Sequence, residues 1–214
     1  MKKILASIFA LFVSLCTTQA SAQILSGIEG MPPYKLGVTV GLNVPSFSNS
    51  DCSSTMGVQA GLNLMFDGSS ILQNTFGRVE LKYSMKGAYF ENNSPGNYWE
   101  ERFTTHYIEL PVHLGYAWYV NENLSVMAEG GPYVALGLWG ERNSTFGKGE
   151  TASDQVFSGK LNCSRFDAGL GVQLGAMILN DYQLHVAYDF GFVNLGSFLL
   201  QNRNLSVGFT YFFE

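Results

Sequence analysis

The side chains able to do chemistry are few and widely spaced. The three histidines, His106, His113 and His185, stand in different stretches without the short spacings of a zinc site, so no metal centre is expected. Lys82, Lys86, Glu109, Glu129, Asp167 and Asp189, with Lys35, Arg78 and Glu80, form a dispersed charged set. A carboxylate pair among them could serve as acid and base. The same groups could equally neutralise one another as a buried ion-pair network. Cys52 and Cys163 show neither CxxC nor zinc spacing; they could pair as a disulfide or remain two thiols. The glycine-rich stretches lack phosphate-loop spacing, and no cofactor is expected.

These residues are positioned by period-two runs, the mark of strands whose two faces meet different surroundings. Eight runs follow one another: Tyr34 to Asn43, Met56 to Phe66, Arg78 to Tyr89, Thr105 to Trp118, Leu124 to Leu138, Phe166 to Ile178, Gln183 to Phe192, and Asn204 to Phe213. In the first, Leu36, Val38, Val40 and Leu42 share one face and Lys35, Gly37, Thr39 and Gly41 the other. The charged set falls on the second face throughout. Pro111 lacks an N–H and predicts a bulge in the fourth run. The joints near 121 to 123 and 180 to 181 are short, whereas 44 to 55, 90 to 104, 139 to 163 and 194 to 203 read as long polar loops.

A soluble barrel would turn its apolar face inward and wet its polar one. Here the polar face is rich in glycine and carries few charges, a poor solvated surface and a good crowded interior. Outward aromatics also sit at the run ends, with Tyr34, Phe66, Trp118 and Phe213 at one end and Tyr89, Phe166 and Phe192 at the other, as in interfacial girdles. The expected fold is all-β: an eight-stranded antiparallel up-and-down transmembrane β-barrel, plugged by its own side chains.

Residues 1–22 read as a signal peptide: Lys2 and Lys3, an apolar run from Ile4 to Leu15, then Ala20-Ser21-Ala22 as a cleavage site. Residues 23–214 would form the barrel domain. The sequence holds 12 basic and 17 acidic residues, and loss of Lys2 and Lys3 makes the rest more acidic still, so nucleic acid is not an expected partner. Charged residues make up only 14% of the chain, against about 25% in typical globular domains. The expected location is the outer membrane of a Gram-negative bacterium, with outer-membrane lipid and the barrel-insertion machinery as partners.

The segment Tyr107-Ile-Glu-Leu-Pro-Val-His-Leu-Gly-Tyr116 resembles the "YLEIPL" strand of the PorT-like outer-membrane β-barrel domain family. Gly130-Gly131-Pro132-Tyr133 is similar to that family's "aGPY" strand, Phe166-Asp167-Ala168-Gly169-Leu170-Gly171 to its "fDxGlg" strand, and Leu205 to Phe212 to its closing strand. The order of the motifs covers nearly the whole mature part. Glu214 departs from the family habit of ending on an aromatic residue. The resemblance implies fold and location; one such protein serves secretion, and fold alone does not give function.

Three functions remain open on these residues. One is a non-catalytic, surface-exposed binding or secretion-accessory anchor with an unidentified protein partner. The others are a small-solute pore and an outer-membrane enzyme acting on lipid or peptide. Aromatic residues among the charges of the 90 to 104 segment, Tyr98, Trp99 and Phe103, mark either a contact surface or loop packing.

Overall fold

A computed structural model of the chain describes residues 34–48, 53–70, 72–94, 97–146, 149–158, 163–195 and 200–213. The signal-peptide reading of residues 1–22 and the position of Cys52 lie outside them. The strands are β1 (Tyr34–Phe47), β2 (Ser53–Ser54), β3 (Gly57–Asp67), β4 (Thr75–Ser94), β5 (Asn97–Asn121), β6 (Leu124–Phe146), β7 (Glu150–Gln155), β8 (Phe166–Ile178), β9 (Tyr182–Asn194) and β10 (Gln201–Phe212). Eight of them close a ring in the order β1-β3-β4-β5-β6-β8-β9-β10, every neighbour antiparallel. Val40 opposite Phe209 seals β1 to β10. Closure leaves no unpaired edge around the ring, as a lipid environment demands of backbone N–H and C=O groups.

The alternation settles which way each strand faces. Leu114 and Leu174 are 70% and 65% exposed on the outside, while Glu109 and Asp167 on the inside are 2% and 0% exposed. Such a surface is costly in water and natural in hydrocarbon. At the end where short turns join the strands, the end expected to face the periplasm with the other facing the exterior, Tyr116 packs tilted against Trp118 and Tyr182 against Tyr211, with ring centroids 4.9 and 5.3 Å apart. Leu179 and Asn180, both at positive φ (54° and 63°), make a tight turn between β8 and β9 of the kind that matches strand twist. Lys35 reaches across to this turn, donating to the Asn180 carbonyl at 2.6 Å and lying 3.5 Å from Asp181.

Two sequence expectations are corrected. The bulge is not at Pro111, which stays in register opposite Tyr133; the β5–β6 register shifts between His106 and Tyr107, where Leu138 is the extra residue. Beyond that point β6 changes phase, so Gly140 and Ser144 turn inward in place of odd-numbered residues. Arg165 ties the bulge down, donating to the carbonyls of Gly137 and Leu138 at 3.0 and 2.7 Å.

The segments 90 to 104 and 139 to 163 are not long loops. β4 and β5 remain paired up to Ser94 opposite Asn97, and β6 pairs with both β5 and β7 as far as Phe146. The outer face of β5 shows why this part is separate from the membrane wall. Trp118, Leu114, Val112 and Ile108 give way to His106, Thr104, Arg102 and Glu100, so about ten residues per strand, roughly 30 Å of extended chain, stand clear of the apolar belt. The result is a four-stranded blade, β4-β5-β6-β7, rising from one side of the barrel.

Candidate functional site

The lumen is packed in three layers. At the periplasmic floor Met65, Phe76, Ala117, Met127, Met177 and Phe212 form an apolar plug, leaving a void of only about 20 Å³ beside it. The polar interior expected from the sequence is therefore apolar at this end. An eight-stranded barrel is narrow enough for its interior to pack like a core.

Above the plug lies the charged layer. Glu109 on β5 faces β4, where Lys82 is its direct cross-strand neighbour and Lys86 stands four residues higher on the same inward face. Glu109 lies 2.6 Å from Lys86 Nζ and 3.1 Å from Lys82 Nζ, and Lys82 also approaches Asp189 at 3.8 Å. The Lys86 ammonium sits 5.6 and 5.4 Å from the ring centres of Tyr107 and Tyr133. A separate group joins Glu129 to Arg78 at 3.2 Å and to His113 at 3.5 Å. Asp167 belongs to neither: it accepts from Asn202 at 2.8 Å and Tyr133 at 3.3 Å, and among the described residues no cation lies within ion-pair distance of it. The sequence-predicted six thus divide into a Lys82/Lys86/Glu109/Asp189 group, Glu129 with its own partners, and a hydrogen-bonded Asp167. These contacts suit a structural plug, since buried charges persist when paired.

The third layer lies at the extracellular mouth. After β7 the chain folds back into the barrel, with Val156 N–H donating to the Gly140 carbonyl at 2.9 Å and Cys163 N–H to the Val156 carbonyl at 3.0 Å. This buries Val156, Phe157 and Cys163 against Tyr107, Tyr133 and Ala135. Phe157 fits because position 137 is glycine: a Cβ there would lie 2.4 Å from its ring. Cys163 is buried and has no cysteine partner among the described residues; as a thiol its pKa is raised above the ordinary value by desolvation.

Between this layer and the inner face of the blade is a cavity of about 220 Å³, lined chiefly by Phe47, Phe90, Trp99, Phe103, Leu195 and Leu200. Phe47, Phe90 and Phe103 form an aromatic trio with centroids 5.7 to 6.5 Å apart. On the cavity's polar side Arg142 is matched by two carboxylates, Asp154 at 2.7 Å and Glu101 at 3.7 Å, and Glu101 also accepts from Ser144 at 3.3 Å. Of the three aromatic residues singled out from the sequence, Trp99 and Phe103 line the cavity. Tyr98 faces the other side of the blade, donating to Glu100 at 2.9 Å. The sequence reading missed Phe47, Leu195 and Leu200, which come from distant segments. Strand phase gives the rest: counting up β5 from Glu109 by twos reaches Tyr107, Phe103 and Trp99.

On the outside of the wall, His106 is stacked on Trp139 with centroids 4.6 Å apart and bonded to the Tyr83 hydroxyl at 2.6 Å. His113 and His185 are buried in the lumen. Among the described residues no cluster of three metal-ligating side chains occurs.

This closed antiparallel ring with a lipid-facing apolar belt defines an outer-membrane β-barrel. Residues 31–196 match the outer membrane protein beta-barrel domain family, and the chain belongs to that family, which places it in the Gram-negative outer membrane. No curated protein matches it. Solved structures similar to it include Ail, the attachment invasion locus protein of Yersinia pestis, in complex with the heparin analogue sucrose octasulfate (12% identity, 85% of this chain and 100% of that one, TM-score 0.43). Neisserial surface protein A (12%, 86% and 100%, 0.42) and the N-terminal β-barrel domain of Pseudomonas aeruginosa OprF (15%, 82% and 97%, 0.31) are similar too. At these levels no ligand of theirs transfers to this chain.

Proposed function

We propose that this chain is a PorT-like, non-catalytic outer-membrane anchor whose extracellular blade binds a partner, either at the cell surface or as an accessory to secretion. The observation that carries the reading is the blade itself. Three of the eight barrel strands continue well past the apolar belt, and the blade presents Glu100, Arg102, Glu141 and Asn143 to the medium on its outer face. A barrel needs no such extension to stay in a membrane. Against a pore stands the lumen, closed by the apolar floor and the charged layer. Against an enzyme stands the engagement of Glu109, Glu129 and Asp189 with lysine and arginine. Export with cleavage after Ala22, leaving Gln23 at the start, belongs to the same proposal, as does insertion through the barrel-assembly machinery into outer-membrane lipid.

The test is mild crosslinking in native membranes, comparing the whole chain with one whose hairpin is trimmed between Phe90 and Phe103. The expected result is a discrete crosslinked product that disappears on trimming, while the trimmed barrel keeps its folded, heat-modifiable mobility. A product unchanged by trimming, or none with either chain, overturns the blade as a binding surface.

A further inference from the structure

We propose that the cavity at the root of the blade is a binding site for a small, neutral, aromatic or similarly compact apolar molecule taken from the external medium. This rests on the surface-binding reading only for the side from which the cavity is reached. Three observations choose the occupant. The volume, about 220 Å³, exceeds the roughly 150 Å³ apolar cavity that accepts benzene and falls below the ~300 Å³ at which drug-sized pockets begin. One or two rings fit, whereas a peptide segment does not. The walls offer ring faces and edges from Phe47, Phe90 and Phe103, which favour a flat partner in offset or edge-on contact. The charged groups are already engaged with one another: Arg142 is taken by both Asp154 and Glu101, so an anion would meet two carboxylates for one guanidinium, and Glu101, the carboxylate on the cavity wall, is itself held by Arg142 and Ser144. Thr105, Glu101 and the Cys163 thiol supply the polar edge.

The cavity has no continuation through the barrel, because the Tyr107 and Tyr133 layer and the Lys86 to Glu109 pair lie beneath it. It is therefore a receptor-like pocket and not the vestibule of a pore.

Cys163 on the cavity wall gives a direct readout. In a Cys52→Ser chain, purified and folded in nanodiscs, modification by N-phenylmaleimide is expected to saturate with reagent concentration, because the phenyl ring binds before the thiolate adds to the maleimide double bond. N-phenylsuccinimide, with the same ring and no reactive double bond, is expected to slow the reaction at least fivefold. N-methylmaleimide, lacking the ring, is expected to react without saturation. Thr105→Phe, which fills the cavity, is expected to abolish both saturation and protection while the chain keeps its heat-modifiable mobility. Linear kinetics with N-phenylmaleimide and no protection overturn the proposal, and so does protection that survives Thr105→Phe. Should Thr105→Phe not fold, a Trp118→Phe/Trp139→Phe chain leaves Trp99 as the reporter. Its emission is expected to change saturably with N-phenylsuccinimide, and an unresponsive Trp99 overturns the site.

Discussion

Removing the Glu109 carboxylate should expose the energetics of the whole charged layer. Glu109 is shared by two ammonium groups, Lys86 at 2.6 Å and Lys82 at 3.1 Å, and its side chain is almost fully enclosed. In Glu109→Met, Lys82 retains Asp189 at 3.8 Å. Lys86 retains only the faces of Tyr107 and Tyr133 and, among the described residues, no carboxylate at ion-pair distance. Cation–π contact is worth about 0.5–2 kcal/mol, well short of the several kcal/mol that a buried, unpaired ion costs. The loss should therefore approach the ~3–5 kcal/mol typical of breaking one side of a buried pair. The partner variant separates this cost from that of altered packing. In Glu109→Met/Lys86→Met both charges of the closer pair are gone and two apolar side chains of similar length replace them, so less than half of the single-variant loss should remain, about 2 kcal/mol at most. The measurement is urea unfolding in lipid vesicles, followed by tryptophan emission and by the mobility difference between folded and boiled samples. A single variant within about 1 kcal/mol of the parent refutes the reasoning. So does a double variant as unstable as the single one.

Two further outcomes follow from the layered lumen and its mouth. Purified protein in a planar bilayer should show no steady single-channel current, since Met65, Phe76, Met127, Met177 and Phe212 pack together across the floor and the void beside them is only about 20 Å³; regular openings would require the Met65, Phe76 and Phe212 plug to be absent in the membrane. Burial raises the Cys163 thiol's pKa, so at a given pH less thiolate is present than in the unfolded chain. Labelling of folded Cys52→Ser by iodoacetamide should accordingly be slower than that of urea-unfolded protein and should accelerate with pH past the unfolded chain's plateau. In the parent chain a bridge between Cys52 and Cys163 is still proposed from the oxidising compartment: unfolded, unreduced protein should carry no reactive thiol, and two labelled thiols per chain would refute it.

How much of this could be read from the sequence depended on whether the two faces of a strand meet different media. Leu36, Val38, Val40 and Leu42 against Lys35, Gly37, Thr39 and Gly41 is a pattern that only a wall between lipid and a crowded lumen requires, and it located all eight barrel strands. The blade lost that contrast. In Glu100, Glu101, Arg102, Phe103 and Thr104 both faces reach water or the barrel mouth, so a paired strand has the composition of a polar loop. The bulge was misplaced for a related reason. Proline removes a donor, but at position 111 the strand keeps its register, whereas Leu138 and Trp139 both face outward, and two successive apolar residues in a strand are the signal of an inserted residue. The lumen charges were legible as a set and in part as pairs. Counting from the shared end of the third and fourth runs brings Lys86 and Glu109 to similar depth, and both Lys86 and Lys82 do pair with Glu109, but only the folded chain shows Asp167 turning to Asn202 and Tyr133.

The difference between the two ends of the barrel follows from what closes each. At the periplasmic floor short turns hold the strands together, and the interior fills completely with Met and Phe side chains from neighbouring strands. At the other end β4, β5 and β6 continue upward on one side while β1, β9 and β10 end near the mouth, so the interior loses half its wall while its inward-facing phase persists on the blade. Phe90, Trp99 and Phe103 then occupy positions that lower in the barrel would be packed from all directions. Val156, Phe157 and Cys163 cover part of that aromatic surface, and about 220 Å³ remains. A pocket at this place is thus a geometric consequence of extending one side of a small barrel. What is particular to this chain is that the positions around it carry phenylalanine, tryptophan and leucine, when serine and asparagine would have served a wetted mouth better.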